Sequence, residues 1–298
     1  MREQLPSISF EFFPPKTAEG KEALGSAVKT LSDLHPHFFS VTFGAGGSTR
    51  EGTLNTVKTL RSDTTVSVAP HLACIGSTRQ EIIEILEAYR KLGVKRLVAL
   101  RGDLPSGMGQ SGEFSYASEL VELIRETTQD YFHIEVAAYP EFHPQAKDAL
   151  KDILNFKKKV EAGANSAITQ YFFNPDAYFY FRDYCAEFGI TIPIVPGIMP
   201  INQFVKLKRF SQICGAEIPR WLGERFEAYG DDQDSIQKLG FEVVYELCRR
   251  LLAGGAPGLH FYTLNHAESS VQLVRMLNLQ GAEKAALRVV DSAISAGA

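Results

Sequence analysis

The residues able to do chemistry sit where short apolar runs end. Glu11 lies within Ile8-Ser9-Phe10-Glu11-Phe12-Phe13-Pro14-Pro15. A carboxylate set among aromatic rings is costly to ionise. The sequence therefore predicts a raised pKa and a proton held for general-acid work near neutral pH. The same run has a plainer reading, because side chains alternate along a strand. Glu11 then points at solvent or meets a lysine. Elsewhere, Thr42 and Phe43 precede the glycine run Gly44-Ala45-Gly46-Gly47-Ser48, which could cradle a phosphate with its N–H groups. His71 follows Pro70, and Arg101 and Asp103 flank Gly102. Tyr139 and His143 bracket Pro140 and Glu141, and Gln170 and Asn265 end two further runs. An acid, a hydroxyl, imidazoles, an Arg/Asp pair and amides make up an acid–base site with room for a charged ligand. Each member also has a structural reading: His71 capping a carbonyl, Arg101 bridging to Asp103, Tyr116 and Ala117 merely opening a helix.

These residues need a frame that brings them together. Apolar runs at 8–12, 38–42, 66–72, 96–100, 134–138, 166–171, 192–195 and 258–262 read as strands. Helical spacing follows each run. Leu24, Ala27, Val28, Leu31 and Leu34 recur at three and four. Ser48 with Glu51, and Thr78 with Glu81, form capping boxes, and Gly93 closes the second of these helices. Asn174-Pro175 pairs an N-cap with proline at the first helical position. Eight strands, each followed by a helix, predict a (β/α)8 TIM barrel in one domain spanning 1–298. Extra helices are expected at 218–228 and 234–252, between strands seven and eight, and at 268–277 and 281–295 beyond them. In such a barrel the strand ends converge at one mouth, where Glu11, Thr42, His71, Arg101, Asp103, Tyr139, Gln170 and Asn265 fall. The alternative, a doubly wound sheet, usually carries GxGxxG after its first strand, and here Phe13-Pro14-Pro15 stands there.

Composition narrows the function. The 298 residues carry a net charge of -4, with no basic surface suited to nucleic acid. The lysine run Lys157–Lys159 reads by default as a solvated helix face. So do Asp152, Asn155 and Lys159, which share a face away from Ile153 and Phe156. Cys74, Cys185, Cys214 and Cys248 are scattered, which indicates neither a metal site nor a disulfide framework. With no signal peptide and no long apolar run, the expected location is cytoplasmic. Glu11 and Asp103 as paired acids also permit a glycosidase. Against it, the single tryptophan, Trp221, lies in an insertion rather than at a strand end.

Six motifs in order resemble the bacterial type of methylenetetrahydrofolate reductase: Phe10-Glu11-Phe12-Phe13-Pro14-Pro15, Ala69-Pro70-His71-Leu72, Arg101-Gly102-Asp103-Leu104-Pro105, Ala138-Tyr139-Pro140-Glu141, Ala162-Gly163-Ala164-Asn165 through Ile168-Thr169-Gln170, and His260-Phe261-Tyr262-Thr263-Leu264-Asn265. The resemblance implies a flavoenzyme in which NADH reduces FAD, and the reduced flavin passes hydride to 5,10-methylenetetrahydrofolate. It implies Glu11 as general acid and Asp103 as the carboxylate facing flavin and folate. By the same resemblance, Thr42 contacts nicotinamide and Gln170 contacts both substrate and nicotinamide. Phe43, His71, Arg101, Gly102, Tyr116, Ala117, Tyr139, His143 and Ala146 match FAD positions. Asp152, Asn155, Lys158 and Lys159 do so too, which turns the supposed solvated face into a cofactor edge. Phe210 matches an aromatic packed on substrate. Lys206 and His266 stand where relatives have glutamine and arginine near the folate's glutamate tail. A homo-oligomer is expected, without the S-adenosylmethionine-binding regulatory domain of larger relatives. A tetrahydrofolate-dependent methyltransferase or demethylase on the same barrel is the alternative, and it predicts loss of the FAD-facing residues, which are present.

Overall fold

The computed structural model describes residues 6–43, 50–102, 112–141 and 143–279. Asp103, the glycine run with Ser48, and the helix expected at 281–295 lie outside the described residues. The strands are β1 (Ser7–Phe12), β2 (Phe38–Val41), β3 (Val68–Ala73), β4 (Arg96–Leu100), β5 (His133–Ala138), β6 (Ser166–Thr169), β7 (Ile194–Val195), β8 (Gly197–Ile198) and β9 (Gly258–Tyr262). The helices are α1 (Ala18–Ser32), α2 (Arg50–Asp63), α3 (Arg79–Lys91), α4 (Ala117–Thr128), α5 (Ala149–Glu161), α6 (Pro175–Glu187), α7 (Phe204–Cys214), α8 (Arg220–Ala228), α9 (Gln233–Ala253) and α10 (Glu268–Met276).

All pairings are parallel, in the order β7-β6-β5-β4-β3-β2-β1-β9-β8. The two ends of this order, β7 and β8, are consecutive in the chain and separated only by Pro196. They are one strand position of a nearly closed barrel, interrupted because proline has no N–H to donate. β7 pairs with β6 and β8 with β9, and the Pro196 carbonyl still accepts from the His260 N–H at 3.0 Å. The eight expected strand positions thus appear as nine segments.

Alternation along β1 decides what the barrel contains. Ile8, Phe10 and Phe12 join Leu24, Val28 and Leu31 of α1 in the layer between strands and helices. Phe10 stacks on Phe261 at 5.5 Å, and Phe12 meets Phe39 edge-on at 5.2 Å. Ser9 and Glu11 face the other way, into the barrel. There Phe38, Ala69, Val98 and Ile168 form a small inner core, with Leu100 packed against it. Helix starts follow the local chemistry. Thr17 caps α1, the Thr78/Glu81 capping box opens α3, Asp148 caps α5 and Asn174 with Pro175 opens α6. Helix α7 was not legible in the pattern, because Val205, Phe210 and Ile213 are exposed while Phe204 and Leu207 are buried. That scatter blurs the helical period.

Candidate active site

Glu11 opens into the barrel interior at the C-terminal end of β1, with its side chain 18% exposed. His71, from β3, places Nε2 3.3 Å from Glu11 Oε2, and His260, from β9, places Nε2 3.7 Å from the same oxygen. Two residues back on β1, Ser9 Oγ lies 2.7 Å from Nδ1 of His260, and Ser40 Oγ lies 3.4 Å from its Nε2. Phe38 stacks against the His260 ring at 5.7 Å. Burial works to raise the Glu11 carboxyl, but the His260 and His71 imidazoles set against its Oε2 outweigh it and hold the group at about 2. This corrects the expectation of a raised acid caged by phenylalanines. Phe10 and Phe12 are on the opposite face of the strand, so the neighbours of Glu11 are imidazoles.

The ends of β4 and β5 and the face of α5 enclose a cleft of about 280 Å³ beside this mouth. Arg101, Gly102, Tyr116, Ala117, Tyr139, His143, Ala146, Asp152, Asn155, Lys158 and Lys159 all line it. The face shared by Asp152, Asn155 and Lys159 is thus turned into the cleft rather than to open solvent. Lys159 donates to the Ala137 carbonyl, and burial pulls its ammonium down to about 8, opposed by the charge of Asp152. Asp152 accepts from the His143 N–H at 2.8 Å, and burial pushes its carboxyl up. The Tyr139 and His143 rings meet edge-on at 4.5 Å. Gly102 has φ +83°, and a Cβ there would lie 2.9 Å from Ala73 Cβ, so glycine lets the chain turn at the cleft wall. Thr42, Phe43 and His71 do not line this cleft. Thr42 Oγ1 is buried without a hydrogen-bond partner among the described residues.

The sequence model of methylenetetrahydrofolate reductase matches residues 1–278. The 5,10-methylenetetrahydrofolate reductase of Escherichia coli K12 is 42% identical over 274 residues, 92% of this chain and 91% of that protein. The chain belongs to the methylenetetrahydrofolate reductase family. Methylenetetrahydrofolate reductase (NADH) 1 of Arabidopsis thaliana is 37% identical over 92% of this chain and 48% of its own length. Among solved structures, an uncharacterised Clostridium thermocellum protein that binds two copies of 5-methyl-5,6,7,8-tetrahydrofolic acid superposes with a TM-score of 0.67. It covers 92% of this chain at 18% identity, which supports the shared fold.

The other residues expected at the site of this reductase-family chain lie around the same mouth or on neighbouring elements. Gln170 follows β6, its side-chain oxygen accepting from the Tyr171 N–H at 3.0 Å. Lys206 and Phe210 are one turn apart on α7, and Phe210 is exposed. His266 lies in the loop after β9, where its N–H donates to the Thr263 carbonyl. Two interior residues, His260 and Tyr262, stood in the sixth motif but were given no role by sequence reasoning. Their signal was present: they stand two apart in one strand, as Ser9 and Glu11 do, and so share a face. Gln145 was also missed. Its side-chain oxygen accepts from Arg101 across the cleft, and no periodicity marks a residue of an irregular loop.

Proposed function

We propose that this protein reduces 5,10-methylenetetrahydrofolate to 5-methyltetrahydrofolate, with FAD as the bound cofactor and NADH as electron donor. The observation that carries this reading is a cationic cleft opening beside a barrel-mouth carboxyl. A pyrophosphate-bearing aromatic cofactor suits that cleft, which offers Arg101, Lys158 and an enclosed Lys159 with Tyr139 and Tyr116 along its walls. When bound, FAD would take hydride from NADH and supply it to the folate.

The chain's own residues do the rest. Arg101, Lys158 and Lys159 offset the negative charge of the pyrophosphate. Thr42, whose hydroxyl has no partner among the described residues, is a hydrogen-bonding group for nicotinamide. Glu11 gives a proton to the folate nitrogen whose departure opens the five-membered ring to an iminium. Asp103 is assigned the charge that favours that cation. Gln170 and Phe210 hold the substrate, and Lys206 and His266 face its glutamate tail. A single-domain homo-oligomer is part of the same reading.

Purified protein is expected to be yellow, to lose its flavin absorbance when NADH is added without oxygen, and to regain it on addition of 5,10-methylenetetrahydrofolate. A colourless protein that takes up no FAD would remove the cofactor assignment. A flavoprotein that NADH reduces but the folate does not reoxidise would remove the substrate.

A further inference from the structure

We propose that the proton Glu11 delivers is drawn from the imidazole pair His71 and His260, with His260 acting as the positioning residue of a proton store built into the barrel wall. This rests on the folate-reductase reading above and names the source of its acid. The need for a source follows from the geometry. A carboxylate flanked by two imidazoles, both directed at Oε2, is favoured in its ionised form. Once substrate and cofactor cover the mouth, an acid that spends most of its time ionised takes its proton from a group already beside it.

Few neighbours can supply it. Tyr262 shares the level of Glu11 in the sheet, but its hydroxyl is committed to the Thr169 carbonyl at 2.6 Å, and burial raises it well above the ordinary phenol value. The Thr263 hydroxyl donates to the backbone carbonyl of Glu11 at 2.6 Å. The Ser9 and Ser40 hydroxyls are engaged with His260 and are too weakly acidic. The imidazoles remain. His260 is fully buried, held at Nδ1 by Ser9 and stacked on Phe38, so its Nε2 edge is fixed toward Glu11 and Ser40. His71 Nε2 is buried and has no aligned hydrogen bond among the described residues, although Glu11 Oε2 is only 3.3 Å away. A small shift of the Glu11 side chain makes that bond.

The transfer balances without a further reagent. A proton leaves an imidazolium Nε2 for Glu11 Oε2, and Glu11 passes it to the folate nitrogen. The imidazole, left neutral, regains a proton from solvent once product leaves: His71 directly at its exposed edge, and the fully buried His260 by way of Glu11 Oε2.

Two measurements test the proposal. In apoprotein labelled with 15N at histidine, one of His71 or His260 is expected to carry N–H at both ring nitrogens at neutral pH, and Glu11→Gln is expected to abolish that signature. Finding both rings neutral in the wild-type protein overturns the store. In anaerobic stopped-flow mixing, His260→Asn is expected to slow folate-dependent flavin reoxidation by about tenfold or more and to change its pH profile, while flavin reduction by NADH stays within about twofold. Ser9→Ala keeps the imidazole but removes its Nδ1 partner, and it is expected to displace the same pH profile even where His260→Asn fails to fold. A profile unchanged in the folded variants overturns the role of His260. Absence of folate reduction in the wild type counts against the function itself, and the imidazole spectra still read the store.

Discussion

The Gly197 N–H donates to Thr169 Oγ1 at 2.9 Å, and the Thr169 carbonyl oxygen lies so close that a Cβ on Gly197 would fall 2.2 Å from it. This contact joins β6 to the strand segment that resumes after Pro196. Tyr262 tightens it by donating to the same carbonyl at 2.6 Å. Gly197→Ala is therefore expected to force the two strands apart where the barrel closes and to cost about 3 kcal/mol. Urea unfolding of the variant against wild type checks this, and an unchanged midpoint would mean that the strands are free to part there.

Glu11→Gln removes the proposed proton donor but keeps the shape of the side chain. It is expected to lower the rate of folate reduction by about 100-fold or more. Flavin reduction by NADH should persist, because that half-reaction needs no proton from Glu11. Equal loss of both half-reactions would move Glu11 from the folate step to a structural role.

Lys159 gives the cleft between β4, β5 and α5 a pH response. Its ammonium titrates near 8 because burial disfavours the charge. Below that value it is a cation for the pyrophosphate of the proposed cofactor, and above it the attraction is lost. FAD affinity is expected to fall as pH rises through and beyond 8, with the onset moved upward to the extent that the bound anion stabilises the cation. Lys159→Met should lower affinity about tenfold at pH 7 and flatten the dependence. Fluorescence titration of FAD into apoprotein between pH 7 and 10 measures both effects.

At the opposite end of the barrel, Glu135 is buried and pairs with Arg96. His133 and Ser166 complete its shell, and His37 meets Arg96 at 3.3 Å. Burial works to raise the Glu135 carboxyl, but His133, Arg96 and Ser166 outweigh it and lower it. A group depressed in the folded state contributes stability that is complete above its ordinary value of 4.5 and is lost as pH falls through the folded value. Stability should therefore decline on acidification below the usual carboxylate range. Glu135→Gln, which leaves Arg96 without its counter-charge, is expected to cost about 3 kcal/mol at pH 7 and to weaken that acid dependence. Denaturant unfolding at pH 7 and pH 4 compares the two proteins.

The sequence by itself determined the frame. The alternation of apolar runs with three-and-four spacing is set by local backbone geometry, so the strand positions, most helices and the caps at Thr78 and Asn174 were readable. The shared face of Asp152, Asn155 and Lys159 on α5 was readable too, but by itself it read as solvated, and only the resemblance to the reductase family made it a cofactor edge. Only the tertiary structure decided the character of Glu11. Its neighbours in the chain are phenylalanines that the strand sends outward, and its neighbours in space are imidazoles from β3 and β9. Their effect on its charge depends on ring closure, which no local pattern encodes. The same holds for Pro196, which reads as the end of a strand and is in fact the break across which the barrel joins its two edges.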